Sequence, residues 1–256
     1  MKNIVLRPKK SLTAWEKVSL GSWRINGDSQ VYCEIKLSVE KALEYIAEKN
    51  KNSTHKITIT HFVGAVMGRI LKKHPEMNVI IRFSRLFYRE QANIFFQVSN
   101  GDDLSGACIH NVDQKKMEEI AEELSKAAET IRSNKDQSFM KMKKTWKLIP
   151  AWASRPVLNI FQFILFQLNI YVKAFGMPQD PFGGMMITNI GSLGFDNAFV
   201  PIVPYSNTAS ICALGRTKFE ACCDDNGNIS AKKIVSLCFT FDHRILDGQK
   251  GAAISN

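Results

Sequence analysis

The chain has 256 residues, 45% hydrophobic and 23% charged. This is ordinary globular usage and excludes a disordered, collagen-like or coiled-coil protein. The 34 Lys and Arg against 24 Asp and Glu leave a formal charge of +10, which points to an anionic partner such as nucleic acid, a phosphorylated cofactor or a lipid surface without choosing among them.

In chain order, residues 31–35 read as a strand and residues 36–49 as a helix, with Leu37, Val39, Leu43, Ile46 and Ala47 at helical spacing. A second helix is expected over 60–74, carrying Phe62, Val66, Ile70 and Leu71 and stopped by Pro75. Strands are expected at 93–98 and 107–109 around the turn-rich residues 99–103. The clearest helix spans 113 to about 131: Met117, Ile120, Ala121, Leu124, Ala128 and Ile131 form one face, and Glu118, Glu119, Glu122, Glu123 and Lys126 a solvated one. Residues 183–190, 209–214 and 234–241 read as strands, the last with strict alternation of Val235, Leu237, Phe239 and Phe241 with Ser236, Cys238 and Thr240. The expectation is an α/β or α+β protein with a substantial sheet, folded as one domain over 1–256.

Residues 139–175 depart from the rest, being basic first (Lys141, Lys143, Lys144, Lys147) and then strongly apolar, with Trp146 and Trp152. The run 157–172 is shorter than the roughly 18 residues of a spanning helix and is interrupted by Asn159, Gln162, Gln167 and Asn169. On a helix, Arg155, Asn159, Gln162, Asn169 and Lys173 would line one stripe opposite Leu158, Phe161, Ile164, Leu165 and Leu168. Such a helix either packs on the domain or a neighbouring subunit, or lies in a membrane interface.

The six cysteines (Cys33, Cys108, Cys212, Cys222, Cys223, Cys238) form no C-x-x-C pair, and no secretory segment follows Met1. That pattern reads as a reducing cytoplasm with inert thiols. The alternative of a redox or metal feature at Cys222-Cys223 lacks ligands at metal spacing, and no metal is expected. The glycines of 183–194 match neither G-x-G-x-x-G nor G-x-x-x-x-G-K-[ST], so a phosphate loop of either kind is excluded.

The strongest chemical signal lies at 242–248, where a strand delivers Asp242-His243-Arg244-Ile245-Leu246-Asp247-Gly248. A histidine at a rigid strand end, with a carboxylate four residues on, is a positioned-base candidate. A satisfied turn histidine is the alternative. Among the others, His55 sits in a polar loop, His61 begins a helix and His74 ends one, each read as structural; His110 is the second choice for a base.

Ile187-Thr188-Asn189-Ile190-Gly191, Phe199-Val200-Pro201-Ile202, Ile211-Cys212-Ala213-Leu214-Gly215 and the segment 242–248 occur in that order. Together they resemble the catalytic domain of the 2-oxo acid dehydrogenase dihydrolipoyl acyltransferases and, more distantly, chloramphenicol acetyltransferase. His74-Pro75-Glu76-Met77-Asn78 and residues 101–132 extend the likeness, which covers nearly all of the chain except 139–181. It implies a chloramphenicol acetyltransferase-like mixed sheet flanked by helices, with 139–181 as a helical apolar insert. The activity implied is CoA-dependent acyl transfer to a thiol or hydroxyl acceptor. His243 would be the general base, Thr188 the oxyanion donor where relatives carry a serine, and Asp247 an orienting group. The resemblance also implies a homotrimer or an assembly of trimers with the site between subunits, so that His243 faces Thr188 of a neighbour.

Relatives pair an arginine near the start with the motif aspartate. Here Lys17 stands near that position with Arg24 further on, and lysine lacks the guanidinium fork. No lipoyl domain is read ahead of Lys9, so a stand-alone form with no lipoyl group on this chain is expected. The competing reading is a non-catalytic assembly or membrane-surface protein that keeps the fold. Nucleic-acid binding would rest on net charge alone, without a recognisable motif, and is not expected.

Overall fold

In a computed structural model the chain is described over residues 29–83, 85–100, 103–133, 148–171 and 179–246. A mixed sheet of seven strands dominates, in the order β1-β9-β7-β6-β4-β5 with β8 paired to β9. The strands are β1 Gln30–Ser38, β4 Ile94–Asn100, β5 Asp103–Ile109, β6 Met185–Asn189, β7 Ser210–Leu214, β8 Lys218–Cys223 and β9 Ile229–Asp242. β6 runs parallel to β4 and β7, and the remaining pairs are antiparallel. A separate hairpin joins β2 Val79–Arg82 to β3 Arg85–Tyr88.

Helices α1 Glu40–Asn50, α2 Ile59–Lys73 and α3 Met117–Arg132 accompany the sheet. Met185, Ile187, Cys212, Leu214, Leu237 and Phe239 project from it into a core shared with Val63, Met67, Leu71, Ile120 and Leu124. Burying each such side chain contributes about 1.5–3 kcal/mol. The close approach of α2 requires Gly64, because a Cβ there would sit 2.5 Å from the ring of Phe96 on β4.

The expected elements recur with shifted ends. Lys36 to Ser38 extend β1 instead of opening α1, since they pair with Ser236, Val235 and Ile234, and a ladder of backbone hydrogen bonds overrides a helical pattern that three residues cannot enforce. The β4–β5 ladder runs to Asn100 and Asp103, further into the turn-rich segment than composition suggested. α3 starts at Met117 because a separate 3-10 turn, Val112–Gln114, precedes it, and the Glu119 carboxylate accepts the Lys116 backbone N–H at 2.7 Å. The hairpin β2–β3 and strand β8 went unread in sequence, although Val79-Ile80-Ile81 and Leu86-Phe87-Tyr88 carry a strand composition.

In the insert, Ala151–Gln162 forms α4 and Phe163–Gln167 continues it as a π-turn. Leu158 and Phe166 are buried, and Phe161, Ile164 and Leu165 are half-buried. The polar stripe breaks before Asn169, which adopts φ 57° after the helical run has ended. The outer face also differs from expectation, for Trp152, Ile160 and Phe163 point outward beside Arg155 and Asn159. Trp146 and Lys173 lie outside the described residues.

Candidate active site

β9 ends at Asp242, and the chain turns over 243–245. Two backbone bonds close this turn, from the N–H groups of Ile245 and Leu246 to the Asp242 carbonyl, both 2.9 Å. His243 N–H donates to the Ser29 carbonyl at 2.7 Å, fixing the turn to the start of β1. The Asp242 carboxylate is buried, accepts from Ser29 Oγ at 3.0 Å, and holds Arg244 through Nε at 2.9 Å. Burial alone would raise the Asp242 pKa, but the side chain and N–H of Arg244, its positive charge and the Ser29 hydroxyl outweigh burial and hold it below the usual value. The turn is therefore braced by an ionised carboxylate, and its histidine ring is exposed.

His243 Nδ1 lies 3.0 Å from the Leu246 carbonyl oxygen. A carbonyl only accepts, so the neutral ring carries its proton on Nδ1. Nε2 then keeps its lone pair, and the ring is in the tautomer of a base.

Thr188 lies near the end of β6, on the sheet face opposite the helices. The side chains of Met186 and Ile190 share that face and pack with Ile211, Ala213 and Cys238 beneath Ala198, Val200 and Ile202. The segment 199–202 is thus a lid on the sheet, held by Tyr32 against Phe199 at 5.5 Å and by Ile202 N–H donating to Gln30 Oε1 at 3.0 Å. Gly215 permits the crossing of this connection, since a Cβ there would meet the Asp196 carbonyl at 1.8 Å. Thr188 is 8% exposed, and its hydroxyl has no hydrogen-bond partner among the described residues. Its neighbour Asn189 faces the helices and donates to Thr60 Oγ1 at 2.9 Å. A hydroxyl without a partner, on a residue that is otherwise buried, is an uncommitted donor.

The sheet does not bring Thr188 and His243 together within one chain. Thr188 is in register with Ala213, and Ala213 with Cys238, so His243 lies five residues along the chain and two strands across from it. At about 3.3 Å per residue and about 4.8 Å per strand, the separation is roughly 19 Å. Asp247, Lys17 and Arg24 lie outside the described residues.

The other histidines have local duties or none. His61 Nδ1 accepts the Thr58 N–H at 3.0 Å and caps α2, and burial lowers its pKa to about 4. His74 Nδ1 is 3.2 Å from Glu76 Oε1. His110, at the end of β5, has no side-chain partner among the described residues. Asn78, from the segment 74–78, is buried and donates to the carbonyls of Arg89 and Gln91, which closes the base of the β2–β3 hairpin. Two site features escaped the sequence reading: the Ser29–Asp242–Arg244 brace and the Leu246 carbonyl that sets the tautomer. Arg244, two residues after Asp242, was the available signal for the first. The second is a main-chain atom and leaves none.

The family model described as 2-oxoacid dehydrogenases acyltransferase (catalytic domain) matches residues 27–140 and 178–256. The lipoamide acyltransferase component of the branched-chain alpha-keto acid dehydrogenase complex of Bacillus subtilis (strain 168) is 23% identical over 199 residues, covering 77% of this chain and 37% of the relative. The chain therefore spans well under half of that relative. Among solved structures, the dihydrolipoamide acetyltransferase of Azotobacter vinelandii aligns with a TM-score of 0.67 at 18% identity, over 93% of this chain and 81% of that one. The cubic core of a pyruvate dehydrogenase multienzyme complex aligns with a TM-score of 0.68 at 17% identity, over 97% and 88%. The fold is that of these acyltransferase cores.

Proposed function

The chain belongs to the 2-oxoacid dehydrogenases acyltransferase (catalytic domain) family, and from that premise we propose that it moves an acyl group between coenzyme A and a thiol or hydroxyl acceptor. The observation that carries the reading is the 3.0 Å contact of His243 Nδ1 with the Leu246 carbonyl, which leaves Nε2 free to accept a proton. A thiol with a pKa of about 8.5 is mostly protonated at neutral pH and needs such a base.

In the proposed cycle, His243 Nε2 takes the thiol proton as the sulfur attacks the thioester carbonyl carbon. The Thr188 hydroxyl donates to the carbonyl oxygen as it gains negative charge. The imidazolium then returns its proton to the departing thiolate, so the ring ends the cycle neutral. Asp247 is assigned an orienting role for the turn that carries His243. The surplus of 34 basic over 24 acidic residues favours a substrate bearing phosphates.

The separation of roughly 19 Å between Thr188 and His243 supports a site completed by a second copy, with His243 of one subunit facing Thr188 of the next in a trimer or an assembly of trimers. The Azotobacter acetyltransferase adds support: a serine, a histidine and an asparagine were investigated in its catalytic mechanism, the last two four positions apart, the spacing of His243 and Asp247. We assign the whole chain to one catalytic domain, with 139–181 as an insert. A thiol-release assay over a panel of acyl-CoA thioesters and acceptors, run beside His243→Ala, tests the reading. Turnover that depends on His243 is expected, and equal activity in the variant would refute it and favour a non-catalytic role.

A further inference from the structure

We propose that the outer face of α4, its π-turn and the β2–β3 hairpin form a docking surface for an anionic phospholipid bilayer, on which the protein lies without crossing it. Along α4 and into the π-turn, Trp152, Pro156, Ile160 and Phe163 follow one another at i, i+4, i+8 and i+11, which is a single helix face. Trp152 is 81% exposed, Ile160 59% and Phe163 48%.

The hairpin continues this face. The rings of Phe83 and Phe163 meet edge-on at 6.2 Å, and exposed Phe83, Leu86 and Tyr88 extend the apolar surface. The two elements are clamped together, since Phe83 N–H donates to Gln167 Oε1 at 2.7 Å and Arg82 Nη2 to the Gln167 carbonyl at 3.1 Å. On the inner side Leu158 and Phe166 are buried, and Gln162 Nε2 donates to Asn207 Oδ1 at 3.3 Å. The outer apolar side chains are thus held in place by the body of the protein.

Charge selects the occupant. Residues 137–179 contain six Lys and Arg and no Asp or Glu, and Arg85 stands exposed on the hairpin. A basic segment with outward Trp, Phe and Ile matches an interface of anionic headgroups over acyl chains. Among the described residues no helix is long and apolar enough to span a membrane, which fits a helix lying in the interface plane. The two matched stretches of the family model skip 141–177, so α4 and the π-turn are additions to the shared catalytic domain. The trimer proposed above rests on Thr188 and His243, both inside the matched stretches, which argues against another copy of the chain as the cover of α4.

The test is flotation of the full chain with vesicles of phosphatidylcholine alone or mixed with phosphatidylglycerol. Binding to the mixed vesicles that weakens with salt is expected. The triple variant Trp152→Ser, Ile160→Ser, Phe163→Ser should partition at least about tenfold less, with thiol-release activity and assembly size unchanged. A second readout needs only a mild change: brominated lipid should quench the native tryptophan fluorescence, and Trp152→Phe should remove much of that quenching. The proposal is overturned by absence of flotation with both vesicle types, by equal flotation of the triple variant, by quenching that Trp152→Phe leaves unaltered, or by a triple variant of smaller assembly size. The last result would make the surface a contact between copies.

Discussion

His243 and Leu246 are joined across one turn by a 3.0 Å contact from Nδ1 to the main-chain carbonyl. A main-chain oxygen cannot titrate or rotate away on its own, so the tautomer is built into the backbone. The brace beneath it is electrostatic, with Arg244 and Ser29 both on the buried Asp242 carboxylate.

Replacing His243 by alanine should lower kcat by about 10²–10⁴-fold, the ordinary contribution of a general base. Circular dichroism and assembly size should match the parent, because the ring is exposed and its loss leaves no core cavity. Steady-state thiol release checks this, and a defect confined to KM would contradict the base role.

Thr188→Ala should lower kcat by about 10²–10³-fold and Thr188→Ser much less, since only the hydroxyl donor is needed. The same residue tests the shared site. Co-assembled His243→Ala and Thr188→Ala chains should regain activity that neither has alone, because some interfaces then pair an intact histidine with an intact threonine. No recovery in mixed assemblies would refute a site shared between chains.

Acid should weaken the fold through His61. Its folded pKa of about 4 lies below the ordinary 6.5, with burial as the cause. The unfolded chain therefore binds the extra proton between those values. The stability from the neutral ring is complete above pH 6.5 and is lost as pH falls towards about 4, by roughly 3 kcal/mol. Protonation also ends the acceptance of the Thr58 N–H by Nδ1. Urea midpoints measured across this range should slope for the parent and flatten in His61→Gln.

Gly64→Ala should destabilise the protein by about 1–3 kcal/mol, the usual effect of overpacking. The added methyl would sit 2.5 Å from the Phe96 ring, which is only 2% exposed and has little room to yield. Chemical denaturation reads the difference directly.

The sequence alone reached the main strands and helices because their apolar spacing is a local signal. β9 alternates without a break from Val235 to Phe241, and α3 keeps its apolar face from Met117 to Ile131. The motifs at 187–191, 199–202, 211–215 and 242–248 likewise pointed to the family, since their residues and their order along the chain are read directly from sequence. Short elements were lost where a distant partner decides the conformation. Lys36 to Ser38 follow a helical pattern but are strand because β9 lies beside them, and the face of α4 that meets the body depends on Asn207, 45 residues downstream of Gln162. Only the tertiary structure placed Thr188 on the face away from the helices and roughly 19 Å from His243. That distance follows from strand order and register, which arise from pairing between remote segments and leave no mark at either residue.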